Sequence, residues 1–311
     1  MLWLILVIFV AIASSFSTYL DNYITDVHFK GRKPQAQKLF FIPTSLLTCI
    51  LIALIFPLQE FPLHATLILI GVGAVNALSN ILYYKALVAE NSTGVTIFSQ
   101  LEPLLYLTLG WIFLGQHITG TEALAFMLIL LAPLVIIFSA SKRTQKLEIR
   151  AVTLLATFSA LQVAAAIIFV KFAGLDLVAA DTNINIFATA FFFITLGSLI
   201  TDLLLAVALK SWRTRFWHVV KKSKHRYLIP AIVNEILFTP AYFAQRFALI
   251  IAPVALVSVT TSALSLIFTF VMGVVLSLIW PAFGREKLKQ RTILAHLAAI
   301  ALIVAGIIIL G

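Results

Sequence analysis

MLWLILVIFVAIASSFSTYLDNYI, residues 1–24, runs directly into TDVHFKGRKPQAQK, residues 25–38. The first stretch carries a single charge, Asp21, and shows no alternation of apolar and polar residues. About 20 continuous apolar residues are what an α-helix needs to cross ~30 Å of hydrocarbon. A barrel strand would need only ~10 residues, alternating in character. The second stretch holds Lys30, Arg32, Lys33 and Lys38. A secretory leader has its basic residues before the apolar stretch; here they follow it, so the segment reads as a retained span.

The same alternation of apolar run and short gap continues along the chain. The sequence is 62% hydrophobic and 11% charged, with a mean hydropathy of +1.08. A soluble domain carries about a quarter charged residues, so lipid is the solvent this composition fits. Backbone amides in lipid must be bonded internally, which restricts spans to helices or closed barrels. The runs here are of helix length and are expected at 2–24, 39–57, 65–88, 94–115, 121–140, 151–174, 183–209, 227–248, 253–281 and 292–310. Pro43, Pro57 and Pro62 punctuate the second, Pro253 opens the ninth, and Pro281 with Gly284 closes it.

Nineteen of the 22 lysines and arginines fall in four gaps, 21–38, 141–150, 210–226 and 285–291. In a ten-span chain these are connections 1–2, 5–6, 7–8 and 9–10, which share one side. The opposite connections carry Glu60, Glu122, Asp176 and Asp181. Basic loops stay cytoplasmic, so both termini are expected outside the cytoplasm. The formal net charge of +10 is then a matter of orientation and of anionic lipid at the cytoplasmic face, with no nucleic-acid partner implied. The cell or cytoplasmic membrane is the expected location. Cys49 is the single cysteine, so an intramolecular disulfide is excluded. The six histidines are scattered, and HExxH, GxxxxGK[ST] and GxSxG patterns are lacking. Neither an enzyme, nor a metal site, nor a cofactor is expected. The five tryptophans lie near span ends, as an interfacial belt would place them.

Residues 76–138 and 234–310 repeat one plan. An aromatic and basic segment runs into Ala-Leu, as Tyr83-Tyr84-Lys85-Ala86-Leu87 and as Gln245-Arg246-Phe247-Ala248-Leu249. A short break, a span rich in small residues, a glycine-polar turn and a closing apolar run follow in both. The turns are Gly115-Gln116-His117 and Gly284-Arg285-Glu286. The expected fold is therefore all-α, with ten transmembrane helices as two five-helix repeats around a central cavity. Residues 1–140 form the first, 141–150 a basic linker and 151–311 the second. Five is odd, so the second repeat lies inverted in the membrane.

YYKAL at 83–87, LEPLL at 101–105, WIFLG at 111–115 and FGREKL followed by AGIIIL near the end resemble the drug/metabolite transporter superfamily in its EamA-type ten-helix form. The resemblance covers essentially the whole chain. It implies a carrier that moves small metabolites by alternating access through a cavity between two five-helix halves. Members handle amino acids, nucleotide sugars, phosphorylated sugars and drugs. Two features depart from it. Gln116-His117 stands where such proteins usually have glutamate, and resembling proteins often have cytoplasmic termini, opposite to the charge reading here.

Ionisable groups at mid-membrane face a partner or a wet cavity. Glu235, Thr239, Tyr242 and Arg246 follow a 4, 3, 4 spacing and share one helix face. Glu235 and Arg246 are about 16 Å apart along the axis and cannot pair. Glu235 reads as a pathway residue or as half of a buried structural bond. Arg246 reads as a pathway residue or as one reaching the interface. Asn76, Asn80, Tyr83 and Tyr84 share a face of the third span, where asparagines also serve as packing contacts. Lys85 closes that span, where snorkelling is the other reading. Ser99, Glu102 and Tyr106 form a face of the fourth, although Glu102-Pro103 also fits a helix bend. Gln162 is a further candidate, whereas Asp202 reads as interfacial. Ser258, Thr261, Ser262, Ser265 and Thr269 line a small-residue face of the ninth span.

With Arg246 and Lys85 cationic and Glu102 and Glu235 anionic, the favoured substrate is zwitterionic and amino-acid-like. The chain reads as an exporter or exchanger of a small polar or amphipathic metabolite. Glu235 or Glu102 is the group for a coupling proton, and uncoupled exchange is the other reading. The rival is a membrane interaction or assembly protein that kept the fold and would bury Glu235 and Arg246 in dry pairs without a cavity.

Overall fold

The computed structural model describes residues 2–29, 34–89, 102–140, 149–172, 184–223, 225–279 and 290–310. Among these residues the secondary structure is entirely helical. Eleven α-helices follow in order: α1 Leu2–Ile24, α2 Phe41–Ile55, α3 Leu63–Ala89, α4 Glu102–Leu114, α5 Gly120–Ala140, α6 Ile149–Val170, α7 Ile184–Ala208, α8 Lys210–Ser223, α9 His225–Ile251, α10 Val254–Ile279 and α11 Gln290–Leu310. A π-helical turn, Thr25–Phe29, ends α1, and a 3-10 segment, Pro34–Phe40, leads into α2. Seven helices are long and apolar enough to cross a membrane; Glu102–Leu114, Gly120–Ala132 and Leu297–Ile309 are shorter apolar helices.

Over the described residues the apolar runs are largely helical, because a backbone in hydrocarbon has no partner except itself. The basic gap 210–226 departs from the loop expected there. It contains α8, whose apolar residues Trp212, Phe216, Val219 and Val220 recur at helical spacing. They pack against Ile24, Phe29, Leu39 and Tyr227, so Trp212 is buried and is no part of an interfacial belt. Arg215 is held there too, its Nη2 donating to the carbonyl of Phe29 at 2.9 Å.

The outer surface is apolar and the interior is partly polar, the reverse of a soluble protein. Leu54, Leu63, Val207, Leu278 and Ile308 are among the most exposed side chains, while Asp21, Lys38, Asp202, Glu235 and Arg246 are buried. The main core gathers the first turns of α1, α3, α7 and α10 with the last turns of α6 and α9. Val7, Leu69, Phe169, Phe187, Phe191, Leu249 and Val257 meet there. Phe187 centres its aromatic part, at 4.7 Å from Phe243 and 5.0 Å from Phe247 between ring centroids.

Packing follows a regular scheme. α1 lies against α9 and α10, α3 against α6 and α7, α4 against α6 and α10, α2 against α7, and α5 against α11. The α3–α7 contact depends on two glycines. A Cβ on Gly73 would collide with the Ile194 carbonyl, and one on Gly197 with the Ile70 carbonyl. Small residues are what let membrane helices approach this closely, because lipid supplies no hydrophobic drive between them. The Ser198 hydroxyl donates to the Gly73 carbonyl at 2.9 Å across the contact.

Gly73→Ala or Gly197→Ala is expected to cost about 1–3 kcal/mol through overpacking. Gly71→Ala, where a Cβ meets open space, should be neutral or slightly stabilising. Thermal unfolding of the three variants in one detergent measures this.

Candidate functional site: a polar cavity

A cavity of about 330 Å³ lies beneath the aromatic core and is walled by α1, α2, α3, α4, α6, α7, α9 and α10. Each wall turns a polar stripe inward because its opposite stripe is apolar and faces outward. On α1 the stripe is Ser14, Ser17, Thr18 and Asp21, at three- and four-residue intervals; on α2 it is Thr44, Ser45 and Thr48.

The cavity floor, formed by the end of α1, the approach to α2 and the first half of α9, holds one hydrogen-bonded cluster. Asp21 Oδ1 accepts from Gln37 Nε2 and from Asn234 Nδ2, both at 3.0 Å, and Oδ2 accepts from the Tyr83 hydroxyl at 3.3 Å. Beside it Lys38 Nζ pairs with Asp202 Oδ1 at 2.6 Å, with both side chains 2% exposed. Asp202 is therefore not interfacial, and Lys38 is not a loop charge. Each neutralises the other where desolvation of either alone would be prohibitive. Glu235 follows Asn234 in α9 and is buried in the same wall.

A second cluster sits higher, next to the core. Arg246 is 3% exposed and is held over the Tyr242 ring at 4.8 Å and the Phe169 ring at 5.9 Å. It is a buried residue and does not reach the interface. Its Nη2 donates to the Tyr242 oxygen at 2.9 Å, and Asn76 Nδ2 donates to the same oxygen at 2.7 Å. The Ser159 hydroxyl donates to Glu102 Oε1 at 3.1 Å, and Gln162 Nε2 donates to the Ser79 oxygen at 2.7 Å.

Of the residues singled out from the sequence, Glu235, Arg246, Tyr242, Thr239, Glu102, Tyr106, Asn76, Asn80, Tyr84 and Gln162 all line this one cavity. Lys85 does not; it is exposed, one residue beyond Tyr84. Ser265 and Thr269 of α10 also face the cavity, and their carbonyls accept from Ser15 and Tyr19 of α1. Ser99 lies outside the described residues. Asp21, Lys38, Asp202, Gln37 and Asn234 were not anticipated as part of one polar floor. The 3- and 4-residue spacing ending at Asp21 was the available signal. Among the described residues no group of three His, Cys, Asp or Glu side chains is placed to hold a metal ion.

A cavity with fixed polar groups, inside a body with an apolar exterior, is equipped for reversible binding of a solute within a membrane. Residues 1–138 match the EamA-like transporter family. The match bears out, over those residues, the likeness to the drug/metabolite transporter superfamily read from the sequence. EamA-like proteins are membrane transporters, and this match, with seven membrane-length apolar helices among the described residues, supports an integral, multi-pass membrane protein. The matched part supplies more than half of the polar wall, including Asp21, Lys38, Asn76, Glu102 and Tyr106. No curated protein matches the chain. One solved crystal structure is similar over 97% of this chain and 94% of its own, at 12% identity and a TM-score of 0.61, a likeness of fold alone.

Removing one member of the buried ion pair should be far worse than removing both. Asp202→Ala leaves Lys38 without a partner and is expected to cost about 3–5 kcal/mol. The Lys38→Met/Asp202→Leu double variant should recover most of that in the same thermal unfolding assay.

Proposed function

We propose that the chain is a secondary carrier that moves a small polar or amphipathic metabolite, amino-acid-like, across the membrane by alternating access, as an exporter or exchanger. The observation that carries this reading is the cavity itself, a polar chamber shared by both halves of a chain whose outside is apolar. A non-transporting assembly protein on the same fold would instead close its charges into dry pairs. Lys38 and Asp202 do so, but Arg246 lines open space.

In this reading ten helices cross the membrane, all except α8, and residues 1–140 and 151–311 are inverted repeats joined by the linker 141–150. The packing scheme supports it. Exchanging each crossing helix for the one five places on turns α1–α9 into α6–α3 and α1–α10 into α6–α4. The same exchange maps α2–α7, α4–α10 and α5–α11 onto themselves. The family match ends at 138, close to the proposed repeat boundary. The tight α3–α7 contact has its counterpart in α2–α9, which is not similarly close. Alternating access follows if these two contacts form in turn, one sealing the end that bears the termini and the other the basic end. The four basic gaps then face the cytoplasm and its anionic lipid, with both termini on the far side.

Glu235 has no ion-pair partner among the described residues and is the group proposed to take a coupling proton, with Glu102 as the second. Glu235→Gln keeps shape and removes charge. In proteoliposomes the variant is expected to transport more slowly, or to lose the pH dependence of the wild type, with its melting temperature little changed. Unchanged transport across pH by a well-folded variant would remove Glu235 from the pathway. A loss of about 3–5 kcal/mol in stability would mark it as a structural charge.

A further inference from the structure

The two polar clusters of the cavity differ in what they leave unfilled. In the floor Asp21 accepts three hydrogen bonds, Lys38 and Asp202 pair, and the neutral Asn234 Oδ1 is the atom left buried without a partner among the described residues. The Arg246 cluster is incomplete. Arg246 Nε and Nη1 are buried and have no partner among the described residues. The Tyr242 oxygen accepts from both Arg246 and Asn76, so its two lone pairs are used and its own proton is left to donate. Asn76 Oδ1 is also buried without a partner among those residues. Glu102 is near enough to feel the charge of Arg246 but stays beyond ion-pair distance.

A buried charged donor left unmade is costly, and where it lines a cavity a ligand can complete it. Here the unmade donors belong to a guanidinium whose face is occupied by Tyr242 and Phe169. Cation–π contact satisfies the face and leaves the edge. The guanidinium has two forks of paired N–H groups that share Nη2. Whichever one Nη2 lends to Tyr242, the other remains whole.

We propose that Arg246 and Tyr242 form a carboxylate subsite, with Asn76 Oδ1 and Glu102 placed to receive an N–H or ammonium on the neighbouring carbon. The inference rests on the carrier reading of this cavity and specifies the substrate's recognised end. A planar fork and an adjacent hydroxyl donor suit a carboxylate's two oxygens. Phosphate is disfavoured by charge. A dianion would bring a second charge for which the cavity has no free base, since Lys38 is already paired with Asp202. A carboxylate carrying its own cation does not. The cation cannot reach Glu235, which lies about 16 Å from Arg246 along α9. Glu102 and Asn76 are its counterparts, and Glu235 is left free for a separate role.

Proteoliposomes containing the full chain are loaded with the standard amino acids, with the corresponding decarboxylated amines, or with the amino-acid amides. Efflux is followed by mass spectrometry against protein-free vesicles. Free amino acids should leave, and the amines and amides should leave at least about tenfold more slowly. Arg246→Lys keeps the charge but loses the fork; Tyr242→Phe loses one donor and keeps the ring. Each should slow amino-acid efflux about tenfold or more. Tyr242→Phe decides the matter if Arg246→Lys fails to fold. Amines or amides leaving as fast as the acids, or wild-type efflux by the folded variants, would overturn the carboxylate subsite while leaving the carrier standing. No efflux of any solute would overturn both.

Discussion

Charge inside hydrocarbon must be paired, wetted or handed to a ligand, and that constraint orders this molecule. The six acidic and basic side chains around the cavity divide accordingly. Lys38 and Asp202 pair at 2.6 Å and need nothing else. Asp21 is surrounded by neutral donors from the segment before α2, from α3 and from α9, which tie three parts of the chain to the end of α1. Arg246, Glu102 and Glu235 line the open cavity. The apolar exterior and the aromatic core around Phe187 hold these groups at fixed depth.

The same constraint bears on movement. Aromatic packing and the Gly73–Gly197 approach draw α3 and α7 together beside the cavity, whereas α2 and α9, their counterparts under the proposed repeat, stay further apart. In the proposed inverted-repeat reading these arrangements exchange at small energetic difference, because the two halves follow one sequence plan. Lipid rewards neither contact strongly, so a small differential affinity of solute for one arrangement is enough to shift the balance.

Much of the helical layout was legible because hydrocarbon permits so few backbone solutions. The run 2–24 and the helix Leu2–Ile24 coincide, and the α9 face from Glu235 to Arg246 needed only helical spacing to be placed on one wall. What escaped was of two kinds. Lys38 sits in a basic gap, and a cation there reads as a marker of orientation; its pairing with residue 202 depends on how distant helices pack. The helix Lys210–Ser223 was obscured in the same way, its charges outweighing the apolar spacing of Trp212, Phe216 and Val219. Lys85 failed in the opposite sense. One residue past Tyr84, it has turned about 100° around α3 and faces outward.

The central claim is that two inverted halves exchange access to one cavity. Spin labels on Leu67 and Ile184 report the α3–α7 contact, and labels on Leu46 and Ile232 report α2–α9, all four positions being exposed. Pulsed electron–electron distance measurements on each pair, in nanodiscs and on a Cys49→Ala background, compare the protein with and without added amino acid. The account predicts two distance populations for each pair, shifting in opposite directions when solute is added. A single unchanging distance in both pairs, or shifts in the same direction, would contradict it.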